Sequence, residues 1–227
     1  MISAFLIGLV KIILVNIVLS GDNAVVIAMA SRGLKPELRK KAVFWGSFGA
    51  IGLRVVLTFI AAWMLRIPLV QFVGSLILVW IAIKLLKGED DAHEIQGSSR
   101  LLEAFRTILI ANLVISLDNV VAVAGAAEGN MVLIIIGLAL SIPLIIWGSQ
   151  LIMKLMERFP VIIIVGGGLL GYTAGEMMAE DKIFRRLVVD SFPAFDDFLP
   201  VCLTVLVIVI GLLWKVRSSE TNPSDCR

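Results

Sequence analysis

Two aspartates stand where a carboxylate is costly. Asp22 and Asp118 each lie inside a long apolar run, residues 15–28 and 111–124, and each is followed by an asparagine, Asn23 and Asn119. A charged side chain at mid-membrane depth costs several kcal/mol unless it is paired or hydrated, so such a residue is a functional candidate by default. The polar residues around them recur at identical spacing: Asn16, Ser20, Asp22 and Asn23 in the first run, and Asn112, Ser116, Asp118 and Asn119 in the second, at an offset of 96. Asn16, Ser20 and Asn23 follow i, i+4, i+7 and share one helix face, as do Asn112, Ser116 and Asn119. On an unbroken helix Asp22 sits about 100° around from Asn23. Both reach one site if the helix is flanked by neighbours or opened locally. Gly21 favours opening in the first run, whereas Leu117 occupies that position in the second.

Facing each other, the two runs would offer two carboxylates, two or more amides and hydroxyls. That all-oxygen set suits Mn²⁺, Mg²⁺ or Ca²⁺ better than Cu⁺ or Zn²⁺, and two carboxylates balance one divalent charge. The competing reading is that these residues are interhelical glue. It is as good as the ligand reading for Ser20 and Ser116 alone, but glue rarely needs two carboxylates. Arg54 is a third charge within an apolar run. It is either a counter-ion for an aspartate when no metal is bound, or a gate element, or else a fixed structural ion pair or snorkelling cation. The one histidine, His93, lies in a charged stretch, and Cys202 and Cys226 form no CxxC pair, which weighs against an imidazole or thiolate site. No HExxH motif or nucleophile–base set suggests an enzyme. No cofactor is expected, the metal ion being cargo.

These residues need helices to hold them. The chain has 227 residues, 59% of them hydrophobic and 17% charged, with a mean hydropathy of +1.00. Soluble domains are nearer half apolar. Seven apolar segments can be drawn, at about 2–30, 42–65, 68–86, 105–127, 131–153, 160–180 and 198–216. Each can cross a bilayer, and a crossing segment satisfies its own backbone hydrogen bonds as a helix. The expected fold is an all-α polytopic membrane protein of about seven transmembrane helices.

The doubled motif divides the chain into two three-helix repeats, 1–86 and 104–180. A connecting loop fills 87–103, a loop on the opposite side 181–197, a final helix 198–216 and a tail 217–227. Residues 73–82 resemble 165–174 at an offset of 92, and Gly46 corresponds to Gly137. With three helices per unit, the second copy enters the membrane from the opposite side. Inverted repeats with polar residues near the midplane mark secondary transporters. Of the 20 Lys and Arg residues, fourteen fall on one side, four on the other and two within spans, which orients the N-terminus outside and the C-terminus in the cytoplasm. The expected partners are the lipid bilayer and a divalent metal ion, with a homo-oligomer left open. A net charge of +2 and the lack of a basic stripe exclude nucleic acid.

The motifs LSGDNAVVIAMASRGL and ISLDNVVAVAG, with KKAVFWGSFGAIGLRVVLTFIAAW and GGGLLGYTAGEMM, resemble the TerC family of bacterial membrane proteins over nearly the whole chain. The resemblance places the chain among the LysE-type exporters, a group linked by name to tellurite resistance and associated with manganese efflux. It implies a plasma-membrane location, Mn²⁺ as the exported ion, Asp22 and Asn23 as the first acidic motif, and Asp118 and Asn119 as the second. Two other functions fit the same architecture: export of small organic solutes, and a membrane accessory protein that delivers metal to a secreted-protein pathway.

The charge asymmetry makes a topology prediction. In a background with Cys202 and Cys226 replaced by serine, cysteines at Lys40 and Gly97 should react with an impermeant thiol reagent only from the cytoplasmic side, and one at Asn130 only from outside. Labelling of the Gly97 position from outside would overturn both the orientation and the inverted relation of the halves.

Overall fold

The computed structural model describes residues 21–64, 67, 69–87, 97–126, 131–192 and 194–220. Within the helices, several side chains, including those at 61–64, 118–126 and 215–220, lie outside the description. The elements are α1 (Gly21–Ser31), α2 (Pro36–Met64), α3 (Val70–Lys87), α4 (Gly97–Ala126), α5 (Met131–Arg158), α6 (Val161–Glu180), the single turn α7 (Lys182–Phe184) continued by a π-helical turn (Arg185–Val189), and α8 (Ala194–Glu220). No strand occurs among the described residues. The protein is an all-α polytopic membrane protein. Five helices are long and apolar enough to cross a bilayer, over Pro36–Thr58, Val70–Lys87, Leu138–Arg158, Val161–Glu180 and Ala194–Trp214. The other two expected crossings, 2–30 and 105–127, run into residues or side chains outside the description.

Several element ends differ from the sequence reading. Helix α4 starts at Gly97, inside the expected 87–103 loop; α2 starts at Pro36 rather than 42; and α8 runs from Ala194 to Glu220, beyond 198–216 at both ends and into the expected tail. The physical reason is common to the three. Hydropathy reports where a helix leaves hydrocarbon, not where its backbone hydrogen bonding stops. Pro36 fits the first helical position, where an N–H has no intrahelical partner anyway. The Asp181–Asp197 stretch is likewise ordered in part, as α7 and the π-helical turn.

Packing crosses the two halves of the chain. Helix α4 lies along α2, α1 along α5, and α3 along α6, while α8 covers α6 and α3. The buried core is built from Val26, Ile27, Leu78, Ile81, Ile108, Ile115, Leu138, Leu170 and Met177. Large apolar side chains cover the outside, among them Trp45, Trp147, Val161, Val165 and Leu213. On a soluble monomer so much exposed apolar surface would be a liability, whereas hydrocarbon accepts it. Two tryptophans on this surface carry lysines: Lys84 Nζ lies 5.6 Å from the Trp80 ring centroid and Lys87 Nζ 5.5 Å from that of Trp214. Such aromatic–cation pairs suit the headgroup level.

Polar ties close both ends of the bundle. At one end Arg39 pairs with Glu157, its Nη2 donates to Arg32 O at 3.0 Å, and Arg32 Nη2 donates to Leu85 O at 3.0 Å. These bonds join α2, the α1–α2 turn and the end of α3, and satisfy carbonyls that a helix C-terminus leaves without partners. At the other end Asp181, buried at 2% exposure, accepts from Phe72 N at 3.3 Å, Ile183 N at 3.0 Å and Phe184 N at 3.2 Å. Asp181 opens the expected 181–197 loop, and the structure makes it the cap that fixes α3 and α7 together.

Helices α6 and α8 approach closely at Gly175. A Cβ there would lie 2.3 Å from Pro200 Cα and 2.8 Å from Pro200 N, both backbone atoms that cannot step aside. Small residues at such crossings are what lets membrane helices pack without a hydrophobic driving force. Gly175→Ala should therefore destabilise the detergent-solubilised protein by about 1–3 kcal/mol, read as a lower Tm. Gly52→Ala, where a Cβ would meet nothing within 4 Å, should show no loss. Equal behaviour of the two variants would contradict the α6–α8 packing.

Candidate functional site

The polar residues of four helices meet inside the bundle. Helix α1 brings Asp22 and Asn23, α2 brings Arg54, α4 brings Asn112 and Ser116, and α6 brings Thr173. Asn23, Arg54, Asn112, Ser116 and Thr173 are buried, and Asp22 is half-buried. Thr173 Oγ1 donates to Asp22 Oδ2 at 3.2 Å. Arg54 Nε donates to Ser116 Oγ at 3.3 Å. The Asp22 carboxylate and the Arg54 guanidinium attract each other across the same cluster. Arg54 is 2% exposed, and its Nη2 has no hydrogen-bond partner. Asn112 Nδ2 turns back to its own helix and donates to Ile108 O at 2.8 Å.

Burial explains why the helices come together here. In a bilayer no bulk water is available to these groups, so the carboxylate and the guanidinium require partners from other helices. Asp22 finds a hydroxyl on α6 and, at longer range, the charge of Arg54 on α2. Arg54 in turn finds a hydroxyl on α4. One carboxylate and three of its neighbours thus tie α1, α2, α4 and α6 by hydrogen bonds and charge.

The sequence-predicted residues divide into three groups. Asp22, Arg54 and Ser116 are brought into one cluster, with Asn23 and Asn112 buried on the same helices. Asp118 and Asn119 lie in α4, two and three residues past Ser116; their side chains lie outside the description. Helix α4 is continuous through Leu117, Asp118 and Asn119. The register therefore puts the Asn119 position about 60° from Ser116 and the Asp118 position about 160° from it. Asn16 and Ser20 lie outside the described residues. Among the described residues, no three His, Cys, Asp or Glu side chains gather as a metal-binding group. Among the described residues, the oxygens that could ligate a hard cation are the Asp22 carboxylate, the Asn23 and Asn112 amide oxygens and the Ser116 and Thr173 hydroxyls.

Thr173 escapes the repeat-based reading because it breaks the repeat. The alignment of 73–82 with 165–174 sets Thr173 opposite Ile81, and the pairing of Gly46 with Gly137 sets Arg54 opposite Ile145. Both isoleucines are core residues. A hydroxyl in an apolar helix whose counterpart is aliphatic was the available signal.

The profile of the integral membrane protein TerC family matches residues 1–221. The uncharacterized membrane protein YjbE of Bacillus subtilis is 42% identical over 211 residues, 93% of this chain and 96% of that protein. The uncharacterized membrane protein YkoY of the same organism is 25% identical over 175 residues, 67% of this chain and 54% of that longer protein. The tellurium resistance protein TerC of Serratia marcescens is 36% identical over 94 residues, 40% of this chain and 27% of that protein. No solved structure matches.

The Thr173–Asp22 bond can be tested as a coupling. Thr173→Val should lower stability by about 1 kcal/mol, because a half-buried acceptor loses its donor. In an Asp22→Asn background the same change should cost much less. Thermal unfolding of the four proteins of the cycle measures this; additive effects would mean that the two side chains do not bond.

Proposed function

The chain belongs to the integral membrane protein TerC family, and on that premise we propose that it is a membrane transporter that exports divalent metal ions, Mn²⁺ foremost, from the bacterial cytoplasm. The observation that carries the proposal is Asp22, a carboxylate inside an apolar bundle, with a hydroxyl donor on a second helix and a cation on a third. A purely structural role would require none of this, since a pair of apolar residues of similar volume packs as well or better.

The ion would be held by Asp22 and Asn23 from α1 and by Asp118 and Asn119 from α4. Asn16, Ser20, Asn112 and Ser116 supply supporting oxygens, and Arg54 is the counter-ion when no metal is bound. Carboxylates, amides and hydroxyls are hard donors, which favours Mn²⁺, Mg²⁺ and Ca²⁺ over softer ions. The association of the resembling family with manganese selects Mn²⁺ among these. The packing of α1 on α5 and of α4 on α2 fits two inverted repeats, each contributing its first helix to the second helix of the other. Rocking of one repeat against the other then exposes the site alternately to the two sides, with the N-terminus outside and the C-terminus in the cytoplasm.

One shared site has a mutational signature. Residues that act as a unit are strongly non-additive. Asp22→Asn and Asp118→Asn should each abolish most Mn²⁺ efflux per folded molecule, and the double variant should be little worse than either. Two independent sites would leave substantial flux in each single variant. A glue role would lower expression or Tm and leave flux per folded molecule unchanged.

A further inference from the structure

Asp22 stands among residues that the repeat does not duplicate. Asp22 has Thr173 as a donor and Arg54 as a cation, and the residues aligned with these two in the other half are Ile81 and Ile145. Arg54 is also incompletely held. A guanidinium carries five N–H donors, and buried polar groups are as a rule hydrogen-bonded. Arg54 reaches Ser116 through Nε at 3.3 Å, while Nη2, buried as well, has no acceptor. A permanent structural arginine would be expected to engage both edges of its fork with a carboxylate.

We infer that Arg54 is a tethered cation that competes with the transported metal for Asp22, so that this carboxylate is exchanged between guanidinium and metal. The inference rests on the divalent-metal reading above. Its logic is electrostatic. Without metal, two carboxylates facing one site in a low-dielectric interior would leave a charge of −2, and Arg54 reduces it to −1. A divalent ion bound with Arg54 still in place raises the total to +1. The guanidinium, held on Ser116 by Nε, is then an unfavourable neighbour of the ion. It weakens metal binding and refills the Asp22 partnership as the ion leaves, which favours release and the return of the empty carrier. Reciprocity between linked sites requires that each cation lower the affinity of Asp22 for the other.

The test is Mn²⁺ binding to the purified full-length protein by calorimetry, with efflux from proteoliposomes measured in parallel. Arg54→Gln and Arg54→Met remove the charge and should tighten Mn²⁺ binding about tenfold, within the range usual for coupled sites. They should also lower maximal efflux, because release slows. Arg54→Lys keeps the charge and should bind Mn²⁺ much as the wild type does. A merely structural arginine predicts the reverse for the neutral variants, with Kd unchanged or raised. That result would overturn the inference while leaving the metal site intact. Absence of Mn²⁺ binding in the wild type would instead overturn the metal reading, and the inference with it. Should the neutral single variants aggregate, Asp22→Asn and Asp22→Asn/Arg54→Gln decide the matter. With Asp22 already neutral only the direct repulsion between Arg54 and the ion remains, so removing Arg54 should tighten Mn²⁺ binding by much less than tenfold. A tenfold tightening in the double variant would make Arg54 a general repulsive charge and refute the exchange.

Discussion

A carboxylate placed among apolar helices has to be satisfied by the protein itself, and Asp22 meets that demand with groups from other helices. Its hydrogen bond from Thr173 and its attraction to Arg54 tie α1 to α6 and α2, and the Arg54–Ser116 bond carries the tie on to α4. The remaining architecture is compatible with this centre. Apolar side chains fill the layers around it, close approaches at Gly175 bring α8 against α6, and polar clamps hold the two ends. The Arg32–Arg39–Glu157 ties and the Asp181 cap lie at the bundle's ends, where helix termini leave backbone groups to be satisfied.

This arrangement also separates stability from function. A buried charge pair is weak evidence for stability, since apolar replacements often serve as well. What such a pair provides is a choice between partners. In the metal-export reading, Asp22 can be satisfied by Arg54 or by an ion, and a carrier needs both states to be reachable. The end clamps offer no such choice. Asp181 accepts three backbone N–H groups on two elements and is committed to a single geometry.

Much of this was legible in the sequence, because hydropathy and the doubled Asp-Asn motif are strong signals. The helical class and the spans over α2, α3, α5, α6 and α8 follow from them, and Asp22, Arg54 and Ser116 stand out as polar residues in apolar runs. What the sequence hid has physical reasons. Element ends at Gly97, Pro36 and Glu220 depend on backbone hydrogen bonding beyond the hydrocarbon, which hydropathy does not report. The capping role of Asp181 depends on a contact with Phe72, 109 positions away. Thr173 was masked by the very repeat that exposed the aspartates, because its counterpart is the aliphatic Ile81. Asp22 and Asn23 are neighbours that point about 100° apart on one helix, so spacing alone could not say which of them meets α6. The contact with Thr173 assigns that side to Asp22.

The central claim is that this chain alone moves divalent metal across a membrane. Purified protein reconstituted into liposomes loaded with a metal-sensitive dye tests it directly, with Mn²⁺, Mg²⁺, Ca²⁺ and Zn²⁺ offered one at a time. The account predicts protein-dependent entry of Mn²⁺ that saturates with concentration, is competed by the other hard cations, and is little affected by Zn²⁺. Liposomes that remain as tight to Mn²⁺ as protein-free ones, with correctly folded protein present, would contradict it.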